Sequence, residues 1–363
     1  MPLIWCSISA HGYGHAAQVV PVLNELGRRV RDLRVILRTL VPAGFFEPRL
    51  AVPWELRPAQ QDVGCIQNGP LEIDVPGTWT AHRTFHTDWQ AKVQEEARQI
   101  RAASPKLVLS DISHLGIAAG AAIGCPTVGL CSLSWDMVLE MLQDRANGEQ
   151  AALIDQIRDA YARAELFLRV TPGLSMTAFP KLIDIGPIAE PGQPQPERLR
   201  QAMGARESDR IVLVGFGGIP LKHLPFARME TMPHTRFVVD GPIPHGLSRI
   251  RSLTGLNLPF KTVLASVDLI MTKPGYGTIV EAVALRKPVV YVRRFNFADE
   301  QSLVDYLHRH GQGAELTRPE FTAGVWADVL EKTFQAPPPP APPPNLTGPS
   351  DAAAMLAQYC GPR

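Results

Sequence analysis

Apolar runs of strand length alternate with helix-length segments along most of this chain, and the alternation stops once and restarts. Residues 3–9 read as a strand, 19–29 as a helix and 33–38 as a second strand. The pattern continues with a strand at 106–110, a helix at 112–123 and a strand at 126–131. After residue 200 the same grammar returns, with strands at 210–215, 236–240, 267–272 and 288–292 and helical segments between them. Strands separated by helices cannot pair as hairpins, so they imply parallel sheets built from βαβ units. The break falls at 186–196 (GPIAEPGQPQP), where four prolines and two glycines can continue neither a helix nor a central strand.

The expected fold class is therefore α/β, with two Rossmann-like, doubly wound domains facing a cleft. Their boundaries are 1–186 for the N-terminal half, 187–197 for a linker and 198–334 for the C-terminal half. A length of 363 residues agrees, since one hydrophobic core rarely serves more than about 250–300. Residues 335–349 are proline-rich, concentrated at 337–344, and read as a solvated polyproline II spacer. Residues 350–363 read as a short helix that folds back toward the N-terminal half.

Composition removes several classes. The formal charge is +1, with 36 basic and 35 acidic residues, so no global field attracts nucleic acid. No run approaches the ~20 apolar residues of a membrane span, and the first residues lack the basic stretch of a signal peptide. The five cysteines form no CxxC pair and are odd in number, which disfavours a disulfide framework or zinc site and suits a reducing cytoplasm.

Four turns carry the chemistry. In such sheets ligands bind beyond the carboxyl ends of the strands, where the first βα turn of each half points. The first turn, 9–15 (SAHGYGH), places His11 and His15 among Gly12 and Gly14. Imidazoles there suit acid/base work, although either also serves as a simple helix cap or backbone partner. The spacing GxGxxG is absent, so the turn is no dinucleotide fingerprint. The second turn, 110–114 (SDISH), sets Asp111 at a strand end. From there a carboxylate can orient an imidazole of the first turn, or act as an ordinary N-cap.

The third turn, 269–281 (LIMTKPGYGTIVE), runs strand, glycine-rich turn, helix. Gly275, Gly277 and Thr278 offer backbone N–H groups and a hydroxyl at a helix N-terminus, a ready diphosphate site, with Glu281 placed to accept from ribose hydroxyls. No Gly-Lys-Ser/Thr follows, so it is not a P-loop. The alternative is a tight turn with Glu281 on a solvated face. The fourth, 293–301 (RRFNFADEQ), brings Arg294, Glu300 and Gln301 to the next strand end, where arginine suits phosphate and acid or amide suits sugar hydroxyls. Gly217 and Gly218, opening the second half, add backbone surface to the same cleft. No Asp-x-Asp triplet occurs, so no metal and no cofactor are expected.

These residues, in this order, resemble the GT-B glycosyltransferases. Gly14-His15 followed by Pro21 resembles the N-terminal turn of the plant and antibiotic glycosyltransferases, and 275–301 resembles their donor signature. A closer resemblance is to the glycosyltransferase-like N-terminal part of plant L-arabinokinases and stand-alone bacterial relatives, through 11–15, 134–136, 216–218, 273–278 and 292–294. The resemblance implies His15 as the base that deprotonates an acceptor hydroxyl and Asp111 as the carboxylate that orients it. It implies Glu281 as the ribose-binding acid and Glu300 and Gln301 as the pair near the donor sugar. The partners it implies are a nucleotide-sugar donor, a UDP-sugar favoured, and a hydroxyl acceptor whose nature the sequence leaves open. The transfer would be inverting and metal-independent. Kinase activity is not implied, because the kinase half has no counterpart in these residues. Two rivals share the fold: a hydrolysing sugar-nucleotide 2-epimerase and a non-catalytic nucleotide-sugar-binding module.

Overall fold

A computed structural model describes residues 1–218, 221 and 223–361, so the last two residues of the segment 350–363 lie outside the described residues. Within the described residues the strands form two sheets, and every strand pair within them is parallel. The first contains β1 (Leu3–Ile8), β2 (Arg34–Arg38), β3 (Trp54–Leu56), β4 (Leu107–Asp111), β5 (Thr127–Cys131), β6 (Leu166–Val170) and β7 (Leu182–Ile185). The second contains β8 (Arg210–Val214), β9 (Thr235–Val239), β10 (Ile250–Ser252), β11 (Leu269–Thr272), β12 (Val289–Tyr291) and β13 (Gly313–Glu315). Their orders are β3-β2-β1-β4-β5-β6-β7 and β10-β9-β8-β11-β12-β13.

Each order reverses direction once, between β1 and β4 in the first sheet and between β8 and β11 in the second. That reversal opens a crevice at the carboxyl edge, the place where open α/β sheets bind ligands. The central strands are covered by helices on both faces, which explains their unbroken apolar runs: all five residues of β4 and of β5 are buried. The register pairs Ile8 with Asp111, so the chain leaving β1 passes directly beside the end of β4.

Two sequence expectations shift in useful ways. The first helix begins at Tyr13 and runs to Arg29, six residues before the apolar periodicity at Val19 announces it. Gly12 turns the chain at φ 89° and the helix starts at once. His15 therefore rides on a rigid first turn instead of a loop. Asp111 is the last residue of β4 and caps nothing. The cap of the following helix, His114–Ala122, is Ser113, whose hydroxyl accepts from the Gly116 amide at 3.2 Å. Asp111 is thereby free for another role.

The proline-rich stretch is also less free than a solvated spacer. The Ala341 amide donates to the Arg309 carbonyl at 2.9 Å, and His310 Nδ1 donates to the Pro342 carbonyl at 2.8 Å. It straps the end of helix Glu300–His310 before helix Gly348–Cys360 crosses to pack on helix Tyr13–Arg29. Ala352, Ala353 and Leu356 are fully buried there, and Arg29 donates to Ser350 Oγ at 2.8 Å. Tyr276 ties the halves from inside: its hydroxyl donates to the Thr171 carbonyl at 3.0 Å and accepts from the Ile188 amide at 2.9 Å.

Candidate active site

At the first crevice His15 Nδ1 lies 3.2 Å from Asp111 Oδ1 and 3.1 Å from Oδ2. Asp111 is wholly buried and His15 nearly so. Burial alone would depress the imidazole, but the charge and hydrogen bond of Asp111 override it and hold His15 well above the usual imidazole range. With Nδ1–H committed to the carboxylate, Nε2 is the ring nitrogen left to exchange a proton. Cys131 Sγ sits 3.9 Å from the same Nδ1. Burial, then the Asp111 charge, raise its thiol, so it stays neutral beside the pair. These three groups are the one set of at least three metal-type donors among the described residues, their ligand atoms within 4.8 Å of one another. A metal there would have to displace the proton that Nδ1 shares with Asp111.

The chain spends strain on this corner. Ile112, directly after Asp111, adopts φ 57°, a left-handed conformation that a β-branched residue avoids at a cost of about 1–3 kcal/mol. Tyr161 holds it there, its hydroxyl donating to the Ile112 carbonyl at 2.8 Å. The turn aims Asp111 at His15, and it is an outlier of the kind that clusters at functional sites.

Around the pair stand groups the sequence reading passed over. Asp62, from the loop after β3, accepts from Ser9 Oγ and from Trp135 Nε1, each at 2.9 Å, and burial raises its carboxyl to about 6. The Trp135 ring packs 5.8 Å from His15 and 5.3 Å from His11. Nothing in local periodicity marks Asp62, because it reaches the site from an irregular loop over 50 residues from its partners. His11 accepts from the Cys65 amide through Nδ1 at 3.3 Å, and its Nε2 faces the Gln67 amide group at 3.2 Å. Burial, then the positive neighbours His15, Lys273 and Arg294, push it down to about 3. It is a neutral ring pinned by a loop, and the dyad is His15–Asp111 without it. Gly12 and Gly14 leave open space where a side chain would stand.

Lys273 and Arg294 follow β11 and β12 at the carboxyl edge of the second sheet, and Phe297 of the same loop as Arg294 packs with Trp135 and Ile112 of the first half, so the two crevices face each other. Helix Tyr276–Ala284 starts there with Gly275 as N-cap and no side-chain cap, leaving its first amides unclaimed. Neither Gly275 nor Gly277 needs a left-handed backbone, and a methyl group on Gly277 would meet nothing within 4 Å. Their lack of side chains keeps the space before the helix open. Thr278 follows on the same first turn. Gly217 and Gly218 do require glycine, at φ 75° and 74°.

Glu281 is nearly buried and pairs with Lys261 Nζ at 3.4 Å; burial raises its carboxyl, and the lysine pulls the other way. Glu300 is 1% exposed, accepts Arg294 Nε at 2.6 Å and takes the amides of Arg294 and Phe295 at 3.0–3.1 Å. Arg294 donates its other end to the Pro274 carbonyl at 3.1 Å, clipping the third and fourth turns together. Gln301 lies exposed between Arg293 and Asp305. Phe297 reaches across and packs in the apolar cluster of Trp135 and Ile112, anchoring this loop to the first half.

Two parallel sheets with facing crevices, a histidine–carboxylate pair in one and an uncapped glycine-flanked helix in the other, define the class: the chain has the GT-B fold of glycosyltransferases. Among solved structures it is similar to the calicheamicin glycosyltransferase CalG4 (TM-score 0.67, 16% identity, 99% of this chain and 98% of that one). It is similar to UGT89C1 of Arabidopsis thaliana complexed with UDP (0.66, 13%, 99% and 100%). It is also similar to UGT2 of Phytolacca americana complexed with UDP-2fluoro-glucose and pterostilbene (0.59, 15%, 99% and 94%). Among curated proteins it is 25% identical over 339 residues to the L-arabinokinase of Arabidopsis thaliana, covering 91% of this chain and 32% of that protein. The chain thus spans about a third of the length of the curated relative it matches. No protein-family model matches it. No helix among the described residues is long and apolar enough to cross a membrane.

Proposed function

We propose that the protein is a glycosyltransferase that moves a sugar from a nucleotide-sugar donor, a UDP-sugar favoured, to an acceptor hydroxyl with inversion and without a metal. The observation that carries this reading is the His15–Asp111 pair, held by a strained turn at one crevice and facing an uncapped helix N-terminus at the other. His15 Nε2 takes the acceptor proton while the acceptor oxygen attacks the anomeric carbon. The new C–O bond forms as the bond to the diphosphate breaks on the opposite face, and the diphosphate leaves with that electron pair. Asp111 stabilises the imidazolium so formed. The amides of residues 275–278 lie where negative charge develops on the leaving group. The similarity of the fold to proteins solved with UDP and UDP-2fluoro-glucose favours a UDP donor.

A thermal-shift panel of UDP-, GDP- and dTDP-sugars tests the donor. Ligand at 100 times its dissociation constant stabilises by about 2.7 kcal/mol, so the correct base stands out. Transfer itself is tested by incubating the best donor with an acceptor library. An α-linked donor is expected to give a β-linked product by NMR, and retention of configuration would overturn the displacement.

Glu281→Ala is expected to weaken UDP binding by about 1.5–3 kcal/mol, roughly 10- to 100-fold, with little loss of thermal stability. Its carboxylate sits one turn above the open amides, ready to exchange Lys261 for ribose hydroxyls. Calorimetry showing unchanged affinity would leave it as the partner of Lys261 alone.

Turnover is expected to survive EDTA, since helix amides and cationic side chains take the role a divalent ion would play. Complete loss in chelator with recovery on adding Mg²⁺ or Mn²⁺ would refute this. Recovery by Zn²⁺ alone would point instead to His15, Asp111 and Cys131.

A further inference from the structure

Beside the His15–Asp111 pair lies a second buried carboxylate, Asp62, whose two oxygens are spent on neutral donors from different elements. Oδ1 accepts from Ser9 Oγ and Oδ2 from Trp135 Nε1, each at 2.9 Å. Ser9 follows β1 and opens the first turn, where its hydroxyl oxygen accepts from the His11 amide at 3.3 Å. Trp135 opens helix Trp135–Met141, and its fully buried ring packs against His11 and His15. Its amide donates at 3.3 Å to the Tyr161 hydroxyl, the group that holds Ile112. Asp62 thus joins the turn that carries His15 to the wall behind it. The loop that delivers Asp62 is fixed on both sides. The Gln61 carbonyl accepts from Ser113 Oγ at 2.9 Å, and the Gly64 carbonyl from His82 Nε2 at 2.8 Å. No lysine or arginine pairs with Asp62 among the described residues, and the cation that acts on it is His15. A buried carboxylate held by neutral donors alone is costly unless a cation shares its site.

We infer that Asp62 is a positioning residue for the base: it ties the His15 turn to the Trp135 wall and supplies a second negative charge against which His15 holds the proton it takes. The inference rests on the transfer reading above and adds how the base is held and charged. The groups that titrate around His15 are Asp111 from β4, Cys131 from β5, His11 from its own turn and Asp62 from the loop, with Tyr161 behind Asp62. Cys131 and His11 stay neutral, so the charges that decide are the two carboxylates. Across the crevice stand Lys273 and Arg294, whose positive field reaches the first turn. With Asp111 alone, protonated His15 and its partner would cancel and face those cations unaided. With Asp62 ionised as well, the cluster keeps a negative charge, which favours the imidazolium at the moment it forms. Burial raises Asp62 to about 6, a shift that His15 opposes, so the carboxylate is charged at neutral pH.

NMR titration of the His15 imidazole, assigned by its loss in H15A, reads the charge without any substrate. In D62N the new amide can still accept from the Trp135 indole and donate to Ser9 Oγ, so the variant removes the charge and spares both ties. Its His15 is expected to titrate about one unit lower than in the wild type, and the rising limb of kcat to move down with it. The wild-type imidazole is expected to show a second, smaller inflection near pH 6, where Asp62 takes its proton, and D62N to lack it. W135F keeps the charge and cuts one tie. It is expected to leave the titration unmoved, to lower kcat about 2- to 10-fold and to keep UDP affinity within about twofold. A His15 that titrates alike in wild type and D62N overturns the role of the charge. Should D62N not fold, a wild-type imidazole with a single inflection does the same. Unchanged kcat in W135F overturns the role of the tie. Wild-type protein that transfers sugar from none of the donors sinks the transfer reading, and the titration then decides alone for or against Asp62.

Discussion

His15→Ala is expected to lower kcat for sugar transfer by about 10²–10⁴-fold, the range a general base contributes, while the dissociation constant for UDP stays within about twofold. The split follows from placement. His15 rides on the first turn of helix Tyr13–Arg29, whereas the residues assigned to the donor hang from β8, β11 and β12. Removing the ring takes away the acceptor of the hydroxyl proton and leaves the diphosphate site untouched. The fold should survive as well: His15 touches Asp111, Cys131, Trp135 and His11, but none of its atoms supports the main core. A variant that loses UDP affinity in step with kcat would make His15 a donor contact. Full turnover would remove it from the chemistry and point to His11. A protein that binds UDP-sugars tightly yet turns over none, before and after substitution, would be the binding module.

Much of this arrangement was legible in the sequence because it depends on local pattern. The parallel sheets follow from alternation, the crevices from strand ends, and the turns at 9–15 and 273–278 from glycine between strand and helix. The sequence reading gives no strand for β3, β6, β7, β10 or β13; of these β3, β10 and β13 have three residues each and carry too little periodicity to register. What the sequence could not resolve is which of several adjacent polar residues points where. The sequence offers Asp111 as the cap of helix His114–Ala122, but Ser113 takes that place, with the left-handed Ile112 between them. Among Asp299, Glu300 and Gln301 the resemblance favoured the last two. Glu300 turns inward because Arg294, six positions earlier, presents a guanidinium and two successive amides at bonding distance. Such choices rest on side-chain direction and long-range hydrogen bonds, which composition and spacing do not encode.

Asp111→Asn is expected to be as damaging as loss of the base, about 10²–10⁴-fold in kcat at the pH where wild type is fastest, and to move the pH profile. In the wild type the carboxylate holds His15 above the ordinary imidazole range near 6.5, so the neutral ring is scarce at neutrality. Turnover should therefore climb as pH rises past 7, the residual base being stronger for having Asp111 behind it. Asparagine retains an oxygen for the Nδ1 proton but no charge. Burial then dominates, the imidazole titrates below its usual value, and the rising limb shifts to lower pH on a far lower plateau. Stability should follow the same linkage with a definite sign. A histidine whose folded pKa is raised contributes stability that is fully present below about pH 6.5 and disappears as pH passes through the folded value. The Tm of wild type should exceed that of the variant most at mildly acidic pH, and the gap should close on the alkaline side. A variant with the wild-type limb and plateau would show that Asp111 merely fills the end of β4. A lower plateau with an unmoved limb would mean that it positions His15 without setting its charge, and the strained turn at Ile112 would then serve geometry alone.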